Sequence, residues 1–255
     1  MRRFLLLFFL VTIGLSVLFL KWIDVAFSRK TFAENLGATP QYWSHRGLGE
    51  NLQANTIPAF EAARNKGAEG IEIDIFYDEQ LRALVVSHDY PYTKYNDTIQ
   101  RLTDFISRFK DSTYYWLDFK NLTLSNAGKV AGMLNPLLDS FGIRSKVFVE
   151  SAEAMALGNL ARKNIHSLYW VQYNRSNFIL KWLKLHYLKF RLLSAPYSGI
   201  TTAYEFYDDD FRENFRQVPT FVFHPTDTMA INKLTGYDGL EVVLTDGWFI
   251  KRHMP

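Results

Sequence analysis

Between residues 44 and 89 the chain carries Ser44-His45-Arg46-Gly47, Asn55-Thr56, Ile71-Glu72-Ile73-Asp74 and Ser87-His88-Asp89. Side chains of these types can break a phosphodiester on a metal ion. Glu72 and Asp74 are two residues apart on an apolar strand and therefore share a face. Adjacent carboxylates repel, and a hard cation such as Mg2+ or Ca2+ makes their pairing favourable. A solvated strand face is the alternative, but Ile71, Ile73 and Ile75 already fill the other face, and a barrel strand has one face inward and one under helices. His45 ends one candidate strand and His88 follows the hairpin arm Leu84-Val85-Val86. Histidines titrate near neutrality, so two can share proton removal and proton donation in one displacement. A lone strand-end histidine is more often structural; two bracketing a carboxylate pair favour function. Arg46 offers a planar fork that grips two phosphate oxygens, although a loop arginine is by itself more often an ordinary surface residue. Farther on, Trp116-Leu117-Asp118-Phe119-Lys120 sets Asp118 and Lys120 on one face. There Asp118 can complete a three-carboxylate metal site and Lys120 can meet developing phosphate charge; a surface ion pair would look the same.

The elements that must position these groups alternate. Beyond Pro40, candidate strands are Gln41 to His45, Gly70 to Tyr77, Tyr114 to Phe119, Lys146 to Val149, Ser167 to Tyr173, Arg191 to Pro196, Thr220 to Phe223 and Glu241 to Leu244. Candidate helices fill the gaps: Ile57 to Lys66, Leu102 to Lys110, Ser125 to Ser140, Ala152 to Lys163, Asn177 to Phe190, Ala203 to Phe215 and Met229 to Leu234. Thr56 and Ser151 stand where N-caps belong. Eight strands alternating with helices in one domain predict an α/β fold, a (β/α)8 barrel whose catalytic groups sit at the C-terminal strand ends. A doubly wound open sheet is the competing layout.

At 255 residues, 48% hydrophobic and 22% charged, the chain can bury one large core. A net charge of +3, dispersed along the chain, does not make the basic stripe that nucleic acid requires. The absence of cysteine excludes disulfides, thiolate metal sites and a cysteine nucleophile. A monomer is expected. Met1-Arg2-Arg3 precedes an apolar run from Phe4 to Leu20, then Lys21 and Trp22. As a helix it reaches ~26 Å at ~1.5 Å per residue, enough to cross most of a bilayer. A signal peptide would carry a shorter apolar run, so an uncleaved signal anchor is favoured. Residues 1–30 then form the anchor and juxtamembrane segment, and residues 40–255 the barrel domain. The basic residues flanking the run nearly balance, and the short N-terminal tail makes a single-pass protein with its domain on the extracytoplasmic side the default.

Phe178 to Phe190 reads FILKWLKLHYLKF, apolar around much of its circumference, with only basic charges. Such a helix can lie in a lipid interface, or serve as an ordinary outer barrel helix with a wide apolar face. His224 follows the seventh candidate strand and can look into a site; His166, His186 and His253 read as surface residues.

Taken together, His45-Arg46-Gly47, Asn55-Thr56-x-x-Ala59-Phe60, Gly67-Ala68, Ile71-Glu72-x-Asp74, Val85-Val86-x-His88-Asp89 and the late Thr245-Asp246 resemble the glycerophosphodiester phosphodiesterase family, from about Tyr42 to Gly247. The resemblance implies a barrel, one divalent cation held by Glu72, Asp74 and Asp118, an acid/base pair of His45 and His88, and phosphate contacts from Arg46 and Lys120. Three departures stand out. Ala54 replaces the glutamate of the family's Glu-Asn-Thr, with Glu50 in the same loop as a substitute. Asp118 stands where the family more often has glutamate and is similar to the sphingomyelinase D and lysophospholipase D branch. The segment from Tyr90 to Thr113 leaves room for only a small cap over the site.

The resemblance therefore implies metal-dependent hydrolysis of glycerophosphodiesters. A phospholipase D-like enzyme acting on lysophospholipid or sphingolipid is a second possibility, and a barrel that binds phospholipid headgroups without turnover is a third. The glutamate and serine at Glu150 and Ser151 have no role assigned by the resemblance; a helix cap is the simpler account of Ser151.

Overall fold

The computed structural model describes residues 2–32, 36, 40–47, 51–172, 177–237 and 239–246. Its barrel strands are β1 (Gln41–His45), β2 (Gly70–Asp78), β4 (Tyr114–Phe119), β5 (Val147–Ser151), β6 (His166–Trp170), β7 (Gly199–Ala203), β8 (Thr220–Phe223) and β9 (Leu240–Thr245). All pair in parallel, and β1 pairs with both β9 and β2, so the sheet closes on itself. A short β3 (Ala83–Val86) folds back antiparallel on β2. Outside lie α2 (Ile57–Asn65), α3 (Leu102–Phe109), α4 (Ala127–Phe141), α5 (Ala154–Ala161), α6 (Phe178–Leu193), α7 (Asp209–Phe215) and α8 (Thr228–Thr235). This is the expected eight-stranded α/β barrel.

Alternation along the strands builds the two sides of the wall. On β2, Ile71, Ile73 and Ile75 point out under the helices and join the main core, while Glu72 and Asp74 point in. Inside the barrel, Trp43, Trp116, Phe148, Leu168, Phe221, Val242 and Leu244 form a second core. Trp43 stands against Phe221 at 5.8 Å and Phe148 at 5.9 Å between ring centroids, and Trp116 against Phe221 at 5.6 Å. These edge-to-face and tilted contacts make a stiff aromatic floor beneath the polar residues at the strand ends. Gly70 is required by this floor, because a Cβ there would fall on the Trp43 ring.

One strand lies elsewhere than expected. Arg191 to Leu193 belong to α6, because Leu185, Leu188 and Leu192 continue one buried helical face. The sixth barrel strand is instead β7, where Ile200-Thr201-Thr202 supply the β-branched run after Pro196 and Gly199. Likewise Ala203 ends β7 and α7 starts only at Asp209, capped by Asp208, which accepts from the Phe211 amide at 2.9 Å. The fifth barrel strand, β6, ends at Trp170, and Tyr173 lies outside the described residues. Ser151 ends β5 rather than capping α5, whose N-cap is Glu153; its Oγ accepts from the Glu153 amide at 3.1 Å.

The N-terminal run forms α1 (Arg2–Ser28), one helix long and apolar enough to cross a membrane. Its last turns are part of the barrel's packing: Ile23 and Phe27 are buried, and Phe27 meets Phe215 of α7 edge-on at 5.9 Å. His186 is accordingly not a surface residue. It is buried where α1 crosses α6, with Nε2 3.2 Å from Asp24. His166 is half-buried, with Nδ1 3.1 Å from the Ser198 hydroxyl; His253 lies outside the described residues.

Gly70→Val places two methyl groups in the Trp43 ring, and overpacking of this kind costs about 1–3 kcal/mol. Chemical denaturation of the variant beside the parent is expected to show that loss.

Candidate active site

The site sits at the C-terminal ends of β1, β2 and β4. Parallel pairing sets His45 of β1 beside Glu72 of β2, Asp74 beside Asp118 of β4, and Asp118 beside Glu150 of β5. Immediately after β1 the chain turns sharply. Arg46 takes φ +52° and Gly47 φ +80°, and a Cβ on Gly47 would come within 2.7 Å of the Ala59 backbone in α2. A non-glycine residue held at positive φ stores backbone strain, which persists only where surrounding contacts enforce it. Here the enforcing contacts are plain. The Arg46 amide donates to Glu72 Oε2 at 3.0 Å, and the Arg46 carbonyl accepts from the Asn55 amide at 2.9 Å.

Asp74 is the hub. It is fully buried; Oδ2 lies 2.8 Å from Arg46 Nε and accepts from Asn55 Nδ2 at 2.6 Å, and Oδ1 lies 2.7 Å from Lys120 Nζ. Asn55, itself at φ +58°, also accepts the Asp74 amide on Oδ1 at 3.2 Å and the Gln100 side chain on its carbonyl at 2.9 Å. Thr56 follows as the N-cap of α2, its hydroxyl accepting from the Ala59 amide, with proline in the first turn. The Asn-Thr pair thus does two jobs: one residue locks Asp74, the next starts the helix.

Lys120 also pairs with Asp118. Burial works against the charge on Lys120, but Asp118 and Asp74 outweigh it and hold its pKa above the ordinary lysine value. Burial, then repulsion from Asp74 and Asp118, pushes Glu72 well above the carboxylate range. Burial raises Asp118 as well, against the pull of Lys120. One oxygen from each of Glu72, Asp74 and Asp118 lies within 4.8 Å of the others. Three hard oxygen donors, opposed by only two positive side chains, fit a divalent cation.

Arg46 separates two cavities. The larger, about 370 Å³, is lined by His45, Glu72, Asp118, Lys120, Glu150 and His224 over the aromatic residues Trp116, Trp170 and Phe223. The smaller, about 210 Å³, holds His88 with Ala54, Asn55 and Gln100. His45 and His88 therefore stand on opposite sides of the arginine. His45 Nδ1 lies 3.4 Å from Asp246 Oδ1, and His88 Nδ1 lies 2.9 Å from Asp89 Oδ1. The hydrogen bond from His45 holds Asp246 below the usual carboxylate range. His88 follows β3, and its loop is tied down by the Ser87 amide on the Asp74 carbonyl at 3.1 Å and the Thr93 amide on the Ser87 hydroxyl at 3.0 Å.

All seven residues singled out by spacing, His45, His88, Arg46, Lys120, Glu72, Asp74 and Asp118, thus line or adjoin one of these two cavities, or pin those that do. Glu50, the expected stand-in for the carboxylate missing at Ala54, lies outside the described residues. The sequence shows Asn55 as part of the Asn-Thr motif but gives it no role, and the structure sets it on Asp74. Sequence reasoning undervalued His224, whose ring meets His45 edge-on at 4.9 Å from a backbone at φ +55°. Burial, and then the neighbouring His45, lowers the His224 pKa. Glu150 is buried in the cavity wall and raised well above the carboxylate range by burial, then by Asp118.

The model of the glycerophosphoryl diester phosphodiesterase family matches residues 45–175, the stretch that supplies all seven residues. The chain belongs to that family. A glycerophosphodiester phosphodiesterase of Bacillus altitudinis is 33% identical over 97 residues, 38% of this chain and 36% of its own length. The chain thus matches about a third of that relative. Solved structures with the same fold include a glycerophosphodiester phosphodiesterase from Thermotoga maritima (16% identity, TM-score 0.63, 85% of this chain and 97% of that one). A phosphodiesterase from Oleispira antarctica, solved with the product sn-glycerol-3-phosphate, has 18% identity, a TM-score of 0.63 and covers 84% and 95%.

A divalent cation added to chelator-treated protein is expected to raise its melting temperature, since a ligand that binds only the folded state stabilises it. Glu72→Gln abolishes that increment. With chelator present, the same variant is more stable than the parent at neutral pH. An acid whose folded pKa is raised ionises first in the unfolded chain, so the parent loses stability as pH climbs above the ordinary glutamate value, whereas the uncharged amide of the variant does not. Thermal melts from pH 4 to 8 measure both effects.

Proposed function

We propose that this protein is a metal-dependent phosphoric diester hydrolase that cleaves glycerophosphodiesters to an alcohol and glycerol phosphate. One observation carries the reading: two histidines, an arginine, a lysine and three carboxylates meet at the catalytic end of a barrel in the family's order and spacing. In this reading Arg46 grips the phosphate between the two cavities, and Lys120 meets charge that builds on its oxygens. One histidine of the His45/His88 pair takes the proton from the attacking oxygen as its bond to phosphorus forms. The other gives a proton to the departing alkoxide as the second P–O bond breaks. Asp246 and Asp89 orient the two imidazoles through their Nδ1 atoms. Glu72, Asp74 and Asp118 would hold a divalent cation, Mg2+ or Ca2+, which when bound would supply Lewis-acid polarisation of the phosphoryl group. Residues 1–30 act as a membrane anchor and residues 40–255 as the catalytic domain, exported across the membrane.

A second reading, phospholipase D-like cleavage of a lysophospholipid, draws on two observations. The third carboxylate is Asp118, and the chain from Ser87 to Arg101 forms no helix over the site.

The deciding assay gives purified protein glycerophosphocholine and lysophosphatidylcholine, with Mg2+, with Ca2+ and with chelator. Cation-dependent release of choline or glycerol phosphate from the soluble diester is expected. Turnover of the lysolipid alone would replace the first reading with the second, and inactivity on both would favour headgroup binding without turnover.

His45→Ala and His88→Ala each are expected to lower kcat by about 10²–10⁴, the range for removing a general acid or base. Parent-like turnover by either variant would exclude that histidine from proton transfer.

A further inference from the structure

α6 leaves an apolar face uncovered. Ile179, Leu183, Tyr187 and Phe190 follow one another at intervals of four, four and three residues, with Leu180 and Trp182 alongside. All six are exposed, Ile179 by 66% and Leu180 by 54%. At about 100° per residue they occupy one continuous face, edged by Lys184 and Arg191 on one side and Lys189 on the other. The opposite face, with Leu185, Leu188 and Leu192, is buried on the barrel. Outer barrel helices ordinarily present polar side chains to water, so this face is built for something other than water.

The crossing with α1 says what that is. Asp24 of α1 contacts Lys189 at the margin of the face and His186 within its arc, between Trp182 and Ile179. Phe19, five residues closer to the apolar half of α1, contacts Phe190 within the face, at 5.9 Å between ring centroids. Moving along α1 toward its apolar half thus leads onto the exposed face of α6. Phe19 stands one residue before the end of the apolar run at Leu20, and Lys21, Trp22 and Asp24 follow. Trp22 is exposed and stacks on Phe19. This is the residue order of a lipid–water boundary, where tryptophan and lysine gather. Beyond the crossing, Lys30 donates to the carbonyls of Leu192 and Ala195, so the end of α1 is bound to the end of α6 and the two move together.

We propose that the exposed face of α6 rests in the headgroup region of the bilayer that α1 enters, its aromatic and aliphatic side chains immersed and its flanking lysines and arginine at the level of the lipid phosphates. The occupant of the face is the lipid surface. The inference rests on the membrane reading of α1. α1 and the immersed face of α6 then give the barrel two contacts with the bilayer and hold it in one orientation.

The chain contains no cysteine, so each single-cysteine variant has one labelling position. Full-length Leu183→Cys, Leu81→Cys and Leu10→Cys carry a nitroxide in phosphatidylethanolamine–phosphatidylglycerol vesicles, and power saturation compares collision with oxygen and with a water-soluble nickel chelate. Leu81 lies in the exposed β2–β3 turn, across the barrel from α6. The oxygen-to-nickel ratio at position 183 is expected to exceed that at 81 several-fold. A ratio equal to that at 81 overturns the inference, and so does shielding from both reagents, which would signify a protein partner or a second copy. Position 10 reports α1 separately: lipid exposure there with water exposure at 183 leaves the anchor standing and removes the docking of α6.

Discussion

A carboxylate with no access to water has to be surrounded by donors, and Asp74 meets that demand by drawing three segments together. Arg46 comes from the turn after β1, Asn55 from the lead into α2 and Lys120 from the end of β4, while the Ser87 amide ties the hairpin to the backbone carbonyl of the same residue. A buried charge left without partners costs several kcal/mol, enough to offset the strain of two left-handed residues at about 1–3 kcal/mol each. That balance lets Arg46 and Asn55 hold left-handed backbone conformations. The positions of the guanidinium and the ammonium are set by the same demand.

The charge count of the site has a further use. Lys120 already offers its ammonium to Asp74 and Asp118, so the carboxylates are partly balanced by the chain itself. Glu72 has the Arg46 backbone amide as its hydrogen-bond partner, and burial and the repulsion of Asp74 and Asp118 push its pKa up against the pull of Lys120 and Arg46.

Much of this was legible in the sequence wherever one residue type admits one explanation. Alternating isoleucine and carboxylate on β2 predicted both the wall and the site, because a strand has two faces and only one can be apolar without reason. The eight-strand count also held, yet one strand was misplaced: Arg191-Leu192-Leu193 is apolar and short, and periodicity alone cannot tell the end of a long helix from a strand. What could not be read were relations set by distant chain. Nothing near His186 marks it as buried, since its partner Asp24 lies in a helix that reads as separate from the barrel. Asn55 gave little warning that it bonds Asp74, and the separation of His45 from His88 by Arg46 depends on how β3 peels away from β2.

The groups to which the proposed function assigns the cation and the phosphate come from β1, β2 and β4, three neighbouring staves of the barrel, whereas Trp170, Phe223 and His224 rise from β6 and β8 on the far side of the same cavity. The two arcs share a floor and touch where the His45 and His224 rings meet. In the proposed function, changes at Trp170 or Phe223 reshape the room offered to the substrate's alcohol while the ionic lattice around Asp74 stays intact. A barrel divided in this way is a platform on which selectivity can drift, by inheritance or by design, without rebuilding that lattice.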